Sequence, residues 1–294
     1  MIVGIPRGLF YYYHGILWEN FFEKLNISYI ISPNTNKEIK KIGNDYSSSE
    51  MCLSLKNYIG HVVYLKDKCD FILIPRIDNY GKYEQTCTNF LACYDIINNI
   101  VDVNILNYNI DLVHKESEYD AFIKLGLKLG KKKKDVIEAY NYACIKYNKI
   151  MKKQIYLNFN KLKSNKKKIL LVSHPYNTYD ETIGKPIINI LEKMNCEVIY
   201  SDLFDKKDCS LNSNKLAPNL YWKYSKEIIG SIEICDNMVD GIIFLSTFPC
   251  GLDSLVNELL IRKIKNKCIN IVIDDLDSYA GLETRLESFV DILV

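Results

Sequence analysis

The chain has 294 residues, a formal net charge of +2, 48% hydrophobic and 25% charged residues, and ten cysteines. Its length sets two domains of about 150 residues each as the expectation, and its near-neutral charge gives no sign of a nucleic-acid partner. No apolar run reaches the ~18 residues of a membrane span. The start "MIVGIPRGLF" also lacks the basic segment, long apolar stretch and cleavage site of a signal peptide, so no membrane partner and a cytoplasmic location are expected. Ten cysteines in an intracellular chain point to buried thiols, a metal site or both, and away from a disulfide scaffold.

Short β-branched runs alternate with helical patterns along the chain. "MIVGIP", "ISYIISP", "DFILIPRI" and "DVNILNYNI" come first, then "KKILLVSHP", "CEVIYSD", "DGIIFLST" and "CINIVIDD". Such alternation predicts parallel sheets covered by helices on both faces. Between the halves a helical stretch runs from about Ser117 to Leu162, with a break at "LGKKKK"; the lysine run there reads as a solvated helix end. The expected fold is therefore α/β: two small doubly wound, Rossmann-like parallel-sheet domains facing across a cleft. Their predicted bounds are 1–164, including the helical connector, and 165–294. Both halves share a design, yet no residue-level repeat is clear.

Open parallel sheets bind ligands beyond the carboxyl ends of their strands. The loops there are "GIPRG", "SPNTN", "PRIDNYGKYEQTC", "SHPYNTYD", "STFPCG" and "DDLDSYAGLETR". Cys69, Cys196 and Cys268 instead sit where a helix has ended and a strand begins, the opposite edge of the sheet, and read as small buried hydrophobes. Cys144 and Cys235 fall in helical patterns and are expected in the core. Cys209 lies in a polar stretch read as a loop, and Cys93 follows Cys87 by six residues; both are left open as contributors to a site.

Cys87 and Cys250 fall in strand-end loops, and Cys52 opens a helix. Helix N-termini and strand-end loops offer backbone N–H groups and a positive potential that favour thiolates. The gaps of 35 and 163 residues match no local zinc or ferredoxin spacing, so the pattern alone leaves both a metal site and unrelated thiols open.

Five stretches carry a family resemblance: "IVGIPRGLFYYYHGILWENFFEKLNISYIISPNTNKEI", "CLSLKNYIGHVVYLKDKCDFILIPRI", "YEQTCTNFLACYD", "FPCGLDSLVNELL" and "IDDLDSYAGLETRLESFVD". In this order they resemble the 2-hydroxyacyl-CoA dehydratase component superfamily, in the branch of acyl-CoA dehydratase activase-related proteins. In that superfamily two α/β domains hold a [4Fe–4S] cluster by three cysteines. Carried over residue by residue, the iron ligands and cofactor-binding residues are Cys52, Cys87 and Cys250, and Cys69 is structural. Ser54 and Thr88 stand where that branch often has proline, and "FLACYD" replaces a glycine-rich continuation, so Cys93 competes with Cys87.

The resemblance implies an ATP-dependent activase as electron donor. This chain has no G-x-x-x-x-G-K-[ST] loop, which places it as the electron recipient, for reductive or dehydratase-type chemistry in an anaerobic cytoplasm. A second dehydratase-like subunit or a homodimer, and an acyl-CoA or other small-molecule substrate, complete the implied partners. Two alternatives stand beside it: a double-cubane-cluster reductase of small molecules, and a non-catalytic electron-relay or maturation subunit. Arg7, Lys56, Arg76 and His174 adjoin the loops as candidate counter-charges. Glu283, Arg285 and Glu287 share a helical turn, where i to i+4 charge pairing is the ordinary expectation. The resemblance adds a positioning role for Glu283 or Arg285. The aromatic stretch "LFYYYHGILWENFF" reads as core packing, and His14 within it as a poor catalytic candidate.

Overall fold

The eight apolar runs become eight strands. The computed structural model describes residues 1–274 and 280–293, so positions 275–279 of the predicted last loop lie outside the described residues. The chain divides into two compact units, Met1–Ile150 and Met151–Val294.

In the first unit the order is β1 (Ile2–Ile5), α1 (Tyr11–Lys24), β2 (Ser28–Ile31), α2 (Lys37–Asp45), α3 (Leu53–Leu65), β3 (Phe71–Asn79), α4 (Thr88–Ile100), β4 (Ile105–Asp111) and α5 (Glu118–Lys128). The sheet order is β2-β1-β3-β4, and every pairing is parallel. Leu17, Trp18, Phe21 and Phe22 recur at helical spacing on α1 and are buried. Trp18 meets the Tyr108 ring edge-on at 5.4 Å, and Phe21 lies 4.8 Å from Phe122. Burying each such side chain contributes roughly 1.5–3 kcal/mol, so this part of the aromatic stretch is core, as expected, while Tyr11, Tyr12 and Tyr13 are half-buried. Ser117 opens α5 with a capping box to Asp120.

Helix α6 (Lys133–Lys161) follows the predicted break and contains the boundary between the units. Ser164, where the sequence suggested a boundary, lies just past its C-terminal end.

The second unit continues with β5 (Lys167–Val172), α7 (Pro175–Thr178), α8 (Gly184–Lys193), β6 (Cys196–Tyr200), α9 (Lys206–Leu216), α10 (Lys223–Ile234), β7 (Gly241–Thr247), α11 (Gly251–Ile261), β8 (Cys268–Ile273) and α12 (Ala280–Ile292). Its sheet is also parallel, in the order β6-β5-β7-β8. All seven residues of β7 are buried, which explains why it reads as one unbroken apolar run.

Apart from the additional four-residue α7 in the second, the two units repeat one plan: strand, helix, strand, two helices, strand, helix, strand. The repeat extends to how the helix pairs meet. A Cβ added at Gly60, seven residues after Leu53 in α3, would overlap the Ile39 carbonyl of α2. Gly43 makes the matching approach to the Lys56 carbonyl, so α2 and α3 run antiparallel. In the second unit Gly230, seven residues after Lys223 in α10, comes equally close to the Cys209 carbonyl of α9. Only a residue without a side chain permits this backbone contact.

Candidate functional site

The sheet order reverses direction between β1 and β3 in the first unit and between β5 and β7 in the second. In parallel α/β sheets this is where loops part and a crevice forms. Three of the chain's cysteines stand at helix starts along these edges.

Cys52 is the N-cap of α3 and Cys87 the N-cap of α4, each with extended backbone (φ −64°, ψ 148° and φ −63°, ψ 143°). Both are half-buried. Asn89, in the first turn of α4, donates from Nδ2 to Cys52 Sγ at 3.8 Å, so the starts of the two helices are neighbours. The loop before Cys87 is pinned by Thr86, whose hydroxyl donates to the Ile77 carbonyl at 2.5 Å and whose N–H donates to the Asp78 carbonyl at 2.9 Å.

Cys250, in the second unit, is the N-cap of α11 and is also half-buried. Its Sγ accepts from the Asp253 N–H at 3.4 Å, and its own N–H donates to the Thr247 carbonyl at 2.8 Å. In the shared plan of the units, α4 and α11 are the helices that follow the third strand, so Cys87 and Cys250 occupy corresponding positions. Trp222, the N-cap of α10, stands where Cys52 stands in the first unit.

Of the other seven cysteines, Cys93, Cys196, Cys209 and Cys235 are buried, whereas Cys69, Cys144 and Cys268, expected inside, are half-buried. Burial raises the thiol of each of Cys69, Cys93, Cys144, Cys196, Cys209, Cys235 and Cys268, with Cys209 and Cys235 pushed up to about 12. Protonated thiols of this kind pack as hydrophobes. Cys69 donates to the Leu65 carbonyl at 3.3 Å. Cys93 is a fully buried residue of α4 that interacts with Tyr58. The reading of Cys209 as a loop residue is corrected: it lies inside α9 and is fully buried. Among the described residues no group of three or more histidine, cysteine, aspartate or glutamate side chains is placed to hold a metal ion.

Of the candidate counter-charges, Arg7, Arg76 and His174 have partners of their own. Arg7 follows β1; its N–H donates to Ser32 Oγ at 2.8 Å, its Nε to the Ser32 carbonyl at 3.0 Å, and its guanidinium lies 5.2 Å from the Tyr11 ring centre. Behind it His61, fully buried on α3, bridges Ser32 Oγ (2.9 Å) and Thr35 Oγ1 (3.0 Å). Burial, with a smaller contribution from Arg7, pulls the imidazole down to about 3, so it stays neutral and ties the loop after β2 to α3. Arg76 pairs with Asp95 at 2.6 Å. His14 lies between Glu118 (3.2 Å) and the Tyr80 hydroxyl (3.3 Å) and stacks on Trp18. Lys56 is half-buried on α3. On α12, Arg285 donates to the Asn270 carbonyl at 2.8 Å and thereby ties that helix to β8.

His174, at the start of α7, is buried, and its Nε2 lies 3.1 Å from Asp253 Oδ1. The neighbouring Asp202 accepts from the Tyr179 hydroxyl at 3.0 and 3.2 Å. Burial nonetheless pushes its carboxyl up to about 6. Sequence reading missed both aspartates. Asp253 was disguised as an ordinary first-turn acid complementing a helix dipole, and Asp202 as part of the polar end of a strand.

A family model described as "CoA enzyme activase uncharacterised domain (DUF2229)" matches residues 2–204. The matched span contains Cys52 and Cys87 and ends before Cys250. No curated protein matches the sequence. Among solved structures, the C-terminal domain of glucosamine-fructose-6-phosphate aminotransferase from Francisella tularensis is similar at 12% identity. That similarity covers 97% of this chain and 74% of that one, with a TM-score of 0.24, a likeness too weak to carry an argument.

Proposed function

We propose, for a chain that belongs to the CoA enzyme activase domain family, that Cys52, Cys87 and Cys250 ligate a [4Fe–4S] cluster that accepts a low-potential electron from an ATP-dependent activase. The finer kinship behind this reading is the resemblance to 2-hydroxyacyl-CoA dehydratase components, and the expected chemistry is reductive or of dehydratase type. One observation carries it. Of ten cysteines, these three alone stand at helix N-caps.

Such a cluster supplies one-electron transfer and, at an iron without a cysteine ligand, a Lewis-acid position. The chain's own contribution is to favour and orient the thiolates. The positive ends of α3, α4 and α11 lie at the three sulfurs, Asn89 donates to Cys52 Sγ, and the Asp253 N–H donates to Cys250 Sγ. Cys93 and Cys209, on which the double-cubane alternative would draw, are both fully buried.

Potentiometric titration of protein assembled without oxygen tests the electron-accepting role. We expect a visible absorption band that bleaches by one electron per cluster in the negative part of the roughly −700 to +450 mV range of protein clusters. A chain with no reducible band, or one reduced only at positive potential, contradicts it.

A further inference from the structure

We infer that His174 is a positioning residue for Cys250, acting through Asp253. This deepens the reading above and rests on it for the identity of the bound group. The coupling between the three residues stands on geometry within the second unit alone.

The Asp253 backbone N–H donates to Cys250 Sγ at 3.4 Å, so the first turn of α11 holds the sulfur directly. An acid at this position usually turns back to the N–H of its own N-cap residue, closing a capping box. Here the Cys250 N–H is taken by the Thr247 carbonyl, and the Asp253 carboxylate is instead 3.1 Å from His174 Nε2. The pair is secluded: the two side chains are 6% and 9% exposed. Tyr176 stacks on the imidazole, ring centres 5.1 Å apart and planes 10° apart, which fixes its orientation. Ser173, just before it, donates to the Leu245 carbonyl at 2.8 Å and fastens the start of this loop to β7.

A buried carboxylate that loses its partner must find another or move towards water. Removing His174 therefore removes the side-chain anchor of the first turn of α11, and with it a restraint on the backbone N–H that faces Cys250 Sγ. Outer residues of this kind orient metal ligands, and hydrogen bonds to cluster sulfurs tune the reduction potential.

The test uses His174→Ala, His174→Gln and Asp253→Asn in the full-length protein. Glutamine can return a side-chain N–H to Asp253; asparagine keeps the backbone N–H but removes the charge that faces His174. In cluster-free protein, the iodoacetamide alkylation rate of each cysteine is read by mass spectrometry. We expect Cys250 to react faster by about fivefold in His174→Ala, the scale of one lost hydrogen bond. Cys52 and Cys87 should stay at wild-type rates, and His174→Gln should return Cys250 towards its own. Asp253→Asn should behave like His174→Ala, and it decides the matter if the alanine variant does not fold. After anaerobic cluster assembly, the reduction midpoint should move in His174→Ala and return in His174→Gln. Cys250 alkylation at the wild-type rate in both His174→Ala and Asp253→Asn overturns the inference. A wild type that assembles no cluster overturns the proposed function, and the alkylation rates still decide this one.

Discussion

Gly230→Ala is expected to destabilise the second unit by about 3–5 kcal/mol, the range of severe core substitutions, and Gly60→Ala to do the same to the first. The added Cβ at either position would overlap a carbonyl on the facing helix, Cys209 for Gly230 and Ile39 for Gly60. A flexible side chain could yield to a new methyl group. A helix backbone cannot shift without dragging the residues packed behind it, and the α10 residues Ile228, Ile229 and Ile232 all belong to the core of the second unit. The two tryptophans report on separate units, Trp18 on the first and Trp222 on the second. Urea titration by fluorescence should therefore show an early transition at Trp222 for Gly230→Ala and at Trp18 for Gly60→Ala. Gly281→Ala is the control. A Cβ there meets open space, and alanine in an exposed helix should be neutral or stabilising by up to about 1 kcal/mol. Midpoints for Gly60→Ala and Gly230→Ala that match this control contradict the close-contact account.

His61→Ala is expected to cost the first unit about 2–4 kcal/mol at neutral pH, from the two hydrogen bonds lost to the Ser32 and Thr35 hydroxyls and the cavity left by the ring. The loss should depend on pH with a definite sign. In the folded chain burial holds His61 neutral down to about 3, whereas in the unfolded chain it takes up a proton near pH 6.5. Below that value the unfolded state binds the extra proton, so the wild type loses stability as pH falls from about 6.5 towards 3, by up to about 1.4 kcal/mol per pH unit. His61→Ala lacks this component. Its deficit relative to wild type, followed by Trp18 fluorescence in urea at pH 7.5 and at progressively lower pH, should therefore shrink on acidification. A deficit that does not change with pH would falsify the assignment of His61 as a buried neutral bridge between Ser32 and Thr35.

Much of the fold is legible because its signals are side-chain patterns. Runs such as "DGIIFLST" mark strands buried on both faces, and Trp18, Phe21 and Phe22 mark the inner face of α1 by their spacing. The shared design of the halves is legible, but its residue-level repeat is not, because that lies in backbone geometry. Gly60 and Gly230 do the same work inside otherwise different helices, and Cys52 corresponds to Trp222. Helix α9 escaped notice for a related reason. Its buried residues are Cys209, Ser213 and Leu216, correctly spaced for a helix face but with only one strongly apolar member, so the segment reads as a polar loop.

The candidate site divides in a similar way. Cys52, Cys87 and Cys250 are singled out in the sequence by motif, and Cys52 also by opening a helix; that Cys87 and Cys250 are N-caps too is visible only in the structure. The link from Cys250 through Asp253 to His174 depends on a contact between Asp253 and His174, 79 positions apart, which no local pattern announces. It becomes visible only when β5 and β7 lie side by side and bring the loops that follow them together.

The most direct test of the central claim is the iron and acid-labile sulfide content of protein purified and reconstituted without oxygen, for the wild type, Cys52→Ala, Cys87→Ala, Cys250→Ala and Cys69→Ala. About four iron atoms and four sulfides per chain, the content of one [4Fe–4S] cluster, are expected in the wild type and in Cys69→Ala, with loss in the other three variants. Reconstituted wild type that takes up no iron, or iron retained in all three N-cap variants, contradicts the assignment of these cysteines as cluster ligands.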